Sequence, residues 1–457
     1  MKSRVFSTEE ARKLARQVDS ALPSHIHFYR YGDRTTQIIR FLIENDMDVA
    51  KTVVAIKQTA LFRKYWHADE ITIADVKNAF AEWHCFPTGV TRDGKIVWYV
   101  DCFMTSAPKM EDFMLVTIYM MDDIQKRLYE GCKALGVQEA YKDYCIIVSD
   151  TAKTSMSAFN TELKKCGTDV FVRHFPAFMS TTDIEISDDP NYAPTFDYDH
   201  AVFYNLNTPF ILRSLWKLCA FFMPARWGCM VQLLGAEQLP SSIPLSLIPK
   251  QYGGSFDGSF EDWLNECAAM NGCSLQDEPR QLVDQRVLDQ FGQNNGMIAS
   301  EIPDTALRGW LWKMTNAGHR WHHYYFVLLK EGLLYYFRDV KDEDAQNGFM
   351  LENCKLVVCE KHDDLKREGI TSLTLASNVL RFQNPPRLEE GQTEETRGEE
   401  AAAGEPHKYW FILRTPSRDY VLACNTVGQR SQWMFALKTV IKAADEKAES
   451  VLNCESK

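Results

Sequence analysis

One stretch of the chain that could bind a hydrophobic ligand runs from Phe210 to Met223. If it is helical, the cations Arg213 and Lys217 lie one turn apart on one side. The remaining surface of that helix is apolar and comprises Phe210, Ile211, Leu212, Leu215, Trp216, Leu218, Cys219 and Phe222. Such a helix is either buried in a protein core or covers an apolar cavity. In the second case it can also enter a bilayer interface, with its two cations beside lipid phosphates.

Residue patterns that carry catalysis are missing from the sequence. There is no glycine-rich phosphate loop, no His-Glu-x-x-His and no Cys-x-x-Cys pair. Gly253-Gly-Ser255 lacks the second glycine of a nucleophile elbow and is predicted to be a turn. His322 and His323 are neighbours in a predicted strand and point to opposite faces, which disfavours joint metal binding. We therefore expect a protein that is not an enzyme and has no cofactor, although it can carry a bound lipid.

Length, charge and cysteine usage limit the function further. With 457 residues the chain is longer than one hydrophobic core usually supports, so we expect more than one domain. Its net charge of -11 provides no positive field that would attract nucleic acid. Its 13 cysteines are odd in number and scattered, which fits a reducing compartment. The first residues contain no apolar signal core, and charges within Pro209 to Gly235 disfavour a membrane span. We expect a cytoplasmic protein that has no nucleic-acid partner and meets membranes peripherally.

The N-terminal part of the sequence predicts an α/β domain. Residues 1–84 read as helical, with Ser7 and Glu10 forming a capping box at the first helix. In residues 85–265, helix Phe113 to Leu135 alternates with strands, which favours a mixed, mainly parallel sheet. The predicted strands are Lys95–Val100, Tyr144–Val148, Ala201–Leu206 and Cys229–Leu234.

The C-terminal part predicts a small antiparallel barrel. Residues 266–305 lose periodicity and read as a linker, and residues 306–445 contain short strands separated by glycine-containing turns. Within them, 388–405 is acidic and predicted to be a disordered insertion. The last predicted element is a helix from Arg430 to Ala444 that carries Trp433, and 446–457 is assigned to a tail.

Several motifs in the first domain resemble the CRAL-TRIO family of lipid-transfer proteins. They are Ile39-Arg-Phe-Leu-Ile-Glu-Asn-Asp-Met-Asp-Val-Ala-Lys51, Phe62-Arg-Lys-Tyr-Trp66, Asn207-Thr-Pro-Phe with the following Leu-Trp-Lys-Leu, and Ile248-Pro-Lys-Gln-Tyr-Gly-Gly254. They occur in the family's order between about residues 35 and 260. The resemblance implies that a mixed sheet forms the floor of a cavity for a single lipid and that residues 210–224 form a movable gate.

The same resemblance argues against phosphatidylinositol as the ligand. Phosphatidylinositol-binding members have a basic residue, a Glu-Arg pair, a threonine and a lysine at the positions where this chain has Asn45, Tyr198 with Asp199, Trp227 and Met230. The inositol phosphate would lose its cationic partners and meet Asp199. We therefore expect a neutral, zwitterionic or non-phospholipid guest.

The C-terminal motifs resemble a pleckstrin-homology (PH) domain. They are Gly309-Trp-Leu-Trp-Lys313, Tyr324-Tyr-Phe-Val-Leu, Leu334-Tyr-Tyr-Phe337 and the final helix, whose Trp433 would close one end of the barrel. By that resemblance, Lys313 occupies a position that binds phosphate in phosphoinositide readers, His322 and Tyr324 stand where those readers have a Lys/Arg-x-Arg triplet, and Arg320 and Arg338 are further candidates. An alternative, that this domain binds a protein or packs on its neighbour, stays open.

Two functions follow from the sequence. The first is a lipid-binding or lipid-transfer protein that holds one lipid in a gated apolar cavity and attaches to membranes through the gate and the PH domain. The alternative is a regulatory or scaffold protein in signalling or trafficking that uses the same two domains for recruitment without transfer.

Overall fold

The structure is a computed structural model with two compact units, Met1–Asp284 and Gln285–Lys457. The boundary lies within the interval that the sequence predicts to be a linker. The residues that the structure describes are 4–92, 94–101, 109–136, 141, 145–152, 174–176, 182, 184–189, 201–209, 231–283, 287–288, 298–314, 321–343, 345–359, 409–415 and 419–453.

Helices dominate the start of the N-terminal unit, as the sequence predicts. Its first elements are β1 (Arg4–Phe6), α1 (Thr8–Ala21), α2 (Arg34–Glu44), α3 (Val49–Tyr65) and α4 (Ile73–Trp83). The Ser7 hydroxyl accepts a hydrogen bond from the Glu10 amide at 3.2 Å, and the Glu10 carboxylate accepts one from the Ser7 amide at 2.8 Å. The predicted capping box at the start of α1 is thereby confirmed.

A five-stranded sheet forms the centre of the N-terminal unit. Its strands, in spatial order, are β2 (Cys85–Val90), β3 (Ile96–Val100), β4 (Cys145–Asp150), β6 (Ala201–Leu206) and β7 (Val231–Leu234). Strand β2 runs antiparallel to β3, and the other neighbours are parallel. The predicted mixed, mainly parallel sheet is confirmed. A separate short strand, β5 (Ile184–Ile186), pairs with β1.

The two faces of this sheet are covered differently. On one face Trp98 contacts Trp263 of α6 (Phe260–Asn271), with ring centroids 5.6 Å apart, and α5 (Met110–Leu135) packs on β2 and β3. On the other face the ring of Tyr99 stacks on Tyr252 at 5.7 Å. Tyr252 belongs to a segment of short 3-10 turns, which are Ala236–Ser241, Leu245–Leu247 and Lys250–Tyr252. We call this second side the Tyr99 face.

The C-terminal unit is a seven-stranded antiparallel sheet with one long helix. Its elements are β8 (Thr305–Met314), β9 (Trp321–Leu329), β10 (Leu333–Phe337), β11 (Asn347–Met350), β12 (Lys355–Cys359), β13 (Tyr409–Arg414), β14 (Asp419–Cys424) and α7 (Val427–Asn453). The strand order is β11-β10-β9-β8-β14-β13-β12, so β8 joins the two halves through pairs with β9 and β14. The strand predictions in this region are confirmed.

Helix α7 closes the core of the C-terminal unit. Trp433 is 2% exposed and packs among apolar residues of both halves of the sheet, including Phe326 at a ring separation of 6.2 Å. The helix continues past Ala444 to Asn453, into residues that the sequence assigns to a tail, and Leu452 is buried there. No described helix is both long and apolar enough to cross a bilayer.

Candidate functional site

The first candidate site lies at the end of the C-terminal sheet opposite Trp433. Side chains alternate along a strand, so Lys313 points to the same side as Leu311, which belongs to the core. The Trp433 indole lies beside Gly309, about 13 Å from Lys313 along β8 at the usual rise per residue. Lys313 therefore stands at the far end of the core, where β8 finishes.

A cage of tyrosine rings surrounds the Lys313 ammonium. Its Nζ atom lies 5.2 Å from the ring centre of Tyr336, 5.6 Å from Tyr420 and 6.0 Å from Tyr324. These distances fall within the range of cation–π attraction, which favours the charged ammonium inside the cage. Lys313 is only 7% exposed, so the rings take the place of much of its water shell. We call Lys313 and these three tyrosines the lysine cage.

Two other predicted residues lie near the lysine cage. His322 is directly opposite Lys313 on β9 and is exposed, with its ring 5.9 Å from that of Tyr324. Arg338 follows the last residue of β10 at the same end of the sheet, and its Nε donates to Gln346 Oε1 at 3.0 Å. The predicted residue Arg320 lies outside the described residues.

The arrangement can attract an anion. Lysine and histidine in direct cross-strand register place an ammonium and an imidazole on one face, and each can donate a hydrogen bond to an oxygen atom. Sequence reasoning named Lys313, His322 and Tyr324 as positions of a candidate anion site but did not name Tyr336 and Tyr420. Tyr336 and Tyr420 approach Lys313 only because the sheet closes and brings β10 and β14 near it.

The predicted gate begins beside a polar group at the carboxyl end of the N-terminal sheet. Asn207 follows β6 in a left-handed conformation, with φ at 52°, and its Nδ2 donates to Asp150 Oδ2 at 2.9 Å. The buried hydroxyls of Thr151 and Thr208 are hydrogen bonded at 3.0 Å. The gate and cavity residues themselves lie outside the described part of the chain, and these are Phe210, Ile211, Leu212, Arg213, Leu215, Trp216, Lys217, Leu218, Cys219 and Phe222.

The sequence motif Ile248–Gly254 also contacts Asp150, through Tyr252. The Tyr252 hydroxyl lies 3.1 Å from Asp101 Oδ1 and 3.4 Å from Asp150 Oδ2, so it bridges two carboxylates. Two glycines allow this turn: Gly253 has a φ of 84°, and a Cβ atom at Gly254 would overlap the Ile248 carbonyl oxygen. The motifs that contain Asn207 and Tyr252 therefore converge on Asp150.

The carboxylates of Asp101 and Asp150 do not form a metal site. Within the described ranges there is no group of three or more His, Cys, Asp or Glu residues that could hold a metal ion. Burial, together with the nearby charge of Asp150, raises the pKa of Asp101. The group is therefore best described as a partly buried network of hydrogen bonds.

Comparison with known families identifies the second unit. Residues 305–442 match the family model of the PH domain, so the chain carries a C-terminal PH domain and that part of the sequence prediction is confirmed. The match covers the second unit only, and the CRAL-TRIO resemblance of the first unit stays a prediction. No curated protein matches the chain.

Solved structures similar to the chain include several of the C-terminal PH domain of pleckstrin. A crystal structure of that domain is 16% identical, covers 30% of this chain and 95% of its own, and has a TM-score of 0.19. A crystal structure with D-myo-Ins(1,2,3,4,5)P5 is also 16% identical, covers 29% and 95%, and has a TM-score of 0.18. A structure of the human domain is 16% identical, covers 31% and 90%, and has a TM-score of 0.19.

Proposed function

We propose that this protein is a peripheral membrane protein that binds anionic lipid headgroups through its PH domain and holds one lipid molecule in its N-terminal unit. It acts by binding and not by catalysis, in the cytoplasm and at membrane surfaces. The lysine cage is the observation that carries the membrane part of the proposal. The N-terminal part depends on the sheet and on the motifs that meet at its carboxyl end.

The lysine cage favours a headgroup with few phosphates. Among the described residues, Lys313 in the cage and His322 beside it supply one ammonium and one imidazole, fewer cations than a cluster of arginines would supply. Each charge-assisted hydrogen bond to a phosphate oxygen contributes about 1.5–3 kcal/mol, so the attraction is modest. The imidazole of His322 can donate a hydrogen bond to a phosphate oxygen, and in its charged form it would add to the attraction.

Two features of the N-terminal unit support lipid binding. On the Tyr99 face the apolar side chains Val97, Val148 and Leu206 are each at most 1% exposed, so they form an apolar floor that is covered and shielded from water in this structure. The two motifs that resemble the CRAL-TRIO family, around Asn207 and Tyr252, meet at Asp150 at one edge of that floor. Because each buried methylene group of a lipid contributes about 0.8 kcal/mol, a floor of this kind suits an acyl chain.

Vesicle flotation with the full chain tests the membrane part. We expect the protein to bind phosphatidylcholine vesicles that contain phosphatidylinositol 4-phosphate at least as well as vesicles that contain phosphatidylinositol 4,5-bisphosphate, and to bind pure phosphatidylcholine weakly. Lys313→Met, which keeps a long side chain without the charge, should weaken binding about tenfold, since it removes one charge-assisted contact. Lys355→Met, at an exposed lysine of β12, is the matched control and should bind like the unchanged protein. Equal binding by Lys313→Met would exclude the lysine cage as the site.

Lipid exchange tests the N-terminal part. Mass spectrometry of the protein as purified should find one bound lipid, and donor vesicles should lose lipid to acceptor vesicles in its presence. Phosphatidylinositol should not be the preferred guest.

A second candidate function is recruitment of a protein partner without transfer. Phe435 on α7 is 76% exposed, and Val427, two turns earlier on the same helix, is 49% exposed. Exposed aromatic side chains are enriched at protein interfaces. Vesicle binding without any bound or exchanged lipid would favour this function over a carrier.

A further inference from the structure

The hydroxyl group of Tyr99 is a buried polar group with an unmet bonding requirement. Tyr99 is completely buried, and its hydroxyl has no hydrogen-bond partner in the part of the chain that the structure describes. A buried donor left without an acceptor is costly, and native proteins contain few of them. Its ring stacks on Tyr252 with an angle of 15° between the ring planes, so the two phenols lie side by side on the Tyr99 face.

Two carboxylates, Asp101 and Asp150, contact the hydroxyl of Tyr252, whose ring stacks on Tyr99. Asp101 follows Tyr99 by two residues, which places both side chains on the same side of the sheet. The Tyr252 hydroxyl has one proton, which it directs to Asp101 at 3.1 Å, while its distance to Asp150 is 3.4 Å. A carboxylate has room for about four hydrogen bonds, so this corner can still accept from a ligand.

Burial and charge restrict what that ligand can be. The pKa of Tyr99 is raised by burial and by the negative charge of Asp101, so its hydroxyl keeps its proton and acts as a donor. A phosphate or carboxylate would meet the charges of Asp101 and Asp150. A protonated amine would suit the carboxylates but cannot accept a hydrogen bond from Tyr99. A hydroxyl group does both, because it donates one hydrogen bond and accepts another.

We infer that the corner formed by Tyr99, Asp101, Asp150 and Tyr252 holds the hydroxyl group of a lipid alcohol. The hydrocarbon of that alcohol lies along the apolar floor of the Tyr99 face, beside Val97, Val148, Tyr204 and Leu206, all of which are buried. The inference deepens the proposed function by naming the class of guest, and it rests on that function. The anchoring hydroxyl accepts from Tyr99 and donates to Asp101.

A pair of probes that differ only at the hydroxyl tests this inference with the full chain. Phosphatidylcholine vesicles would contain cholesterol or cholesterol methyl ether, and in a second series 1-hexadecanol or its methyl ether. Uptake into the protein would be quantified by mass spectrometry after removal of the vesicles. We expect at least one alcohol to be taken up about tenfold better than its ether, since the ether cannot donate to Asp101.

Tyr99→Phe removes one oxygen atom and keeps the ring. It should lower uptake of the preferred alcohol several-fold, because the lipid oxygen loses the hydrogen bond that it accepts from Tyr99, and raise the melting temperature of the lipid-free protein by a few degrees. Tyr119→Phe, at a buried tyrosine of α5 whose hydroxyl donates to Asn271 Oδ1 at 2.9 Å, lies outside the proposed site; it is the matched control and should leave uptake of the alcohol unchanged.

The outcomes separate this inference from the proposed function. If alcohols and ethers are taken up equally, or if Tyr99→Phe takes up the alcohol as well as the unchanged protein does, the lipid-alcohol anchor is wrong while the proposed lipid-binding function stands. If neither probe nor any phospholipid enters the protein, the proposed lipid-binding function fails, and the inference fails with it.

Discussion

Arg63 shows how a buried charge is stabilised in the N-terminal unit. Its side chain is 2% exposed, and its two terminal nitrogens donate to Asp122 at 3.1 and 2.8 Å. Asp69 accepts a further bond of 2.6 Å from Arg63 Nη2. Burial opposes the charge on Arg63, but the two carboxylates outweigh it and raise the pKa of Arg63. The guanidinium thereby joins α3 to α5 with two parallel hydrogen bonds.

Replacing Arg63 should destabilise the N-terminal unit strongly. We expect Arg63→Met to lower its free energy of unfolding by about 3–5 kcal/mol, because Asp122 would be left as an unpaired buried charge. Urea denaturation of the full chain measures this. Arg16→Met, which breaks the exposed ion pair with Glu9, should cost less than about 1 kcal/mol. Arg63→Met combined with Asp122→Leu should recover most of the loss, and no recovery would contradict the unpaired-charge explanation.

The residues of the lysine cage show what sequence can reveal at this scale. Lys313 and His322 could be predicted from their positions in strand motifs that resemble a PH domain. Tyr336 and Tyr420 could not, because both lie more than twenty residues after Lys313 in the chain, and only the pairing of β9 with β10 and of β8 with β14 brings them near. Arg63 and Asp122 were missed for the same reason: a buried ion pair between two helices leaves no local pattern.

At the scale of elements, the segment after α6 is fastened to α4. Arg280 Nη2 donates to Asp75 Oδ2 at 2.7 Å, and Lys77 Nζ donates to the carbonyl oxygens of Leu275 and Asp277 at 2.6 Å. Burial acts to raise the pKa of Asp75, but the hydrogen bonds from Arg280 and Thr72 outweigh it and lower the pKa to about 2. Residues 274–280 therefore belong to the N-terminal unit, although their sequence reads as a linker.

The Arg280 contact should have a defined pH dependence. Because the pKa of Asp75 is lowered in the folded state, its stabilising effect is fully present above about pH 4, the usual pKa of a free aspartate, and is lost as pH falls through about 2. Arg280 is half exposed, so we expect Arg280→Ala to lower the free energy of unfolding by only about 1 kcal/mol at neutral pH. The difference should fall to about half near pH 3.

Thermal unfolding of the N-terminal unit at neutral pH and near pH 3 measures this difference. Glu278→Ala, at an exposed position of the same segment, is the control and should leave the melting temperature unchanged at both values. A difference between the unchanged protein and Arg280→Ala that grows on acidification would show that Asp75 is not the partner that matters.

Regular elements could be predicted where one physical signal dominates. The buried strands β3, β4 and β6 are short apolar runs, and α5 repeats its apolar residues at helical spacing, so both kinds were predicted. Strand β2 was missed because its sequence, Cys-Phe-Pro-Thr-Gly-Val, contains a proline and a glycine, residues that weaken a strand prediction. Gly89 marks an irregularity in the pairing of β2 with β3, which accommodates these residues.

At the scale of the whole molecule, each unit extends into the interval that reads as a linker. The N-terminal unit retains residues up to Arg280, as described above. The C-terminal unit packs Ala299 and Ile302 on the outer side of β9 and β10, against Val327 and Phe337. The polar composition of residues 273–304 predicts neither contact, because a single arginine or isoleucine can anchor a segment without producing a periodic pattern of apolar residues. Each unit therefore has its own core, and each holds its own part of the interval through side-chain contacts.

Cleavage of the chain between the two units tests whether one unit binds the membrane while the other carries the lipid. A protease site inserted between Asp284 and Gln285 should, once cleaved, leave both thermal transitions unchanged, because neither core crosses this boundary. The fragment that starts at Gln285 should keep the binding to phosphoinositide vesicles. Lipid transfer to those vesicles should fall to the rate seen with neutral acceptors, because the tether that raises the local concentration of the N-terminal unit at the membrane is lost. If the cleaved protein still transfers lipid faster to phosphoinositide vesicles than to neutral ones, the N-terminal unit recognises the membrane by itself. The PH domain would then have a role other than bringing the N-terminal unit to the membrane.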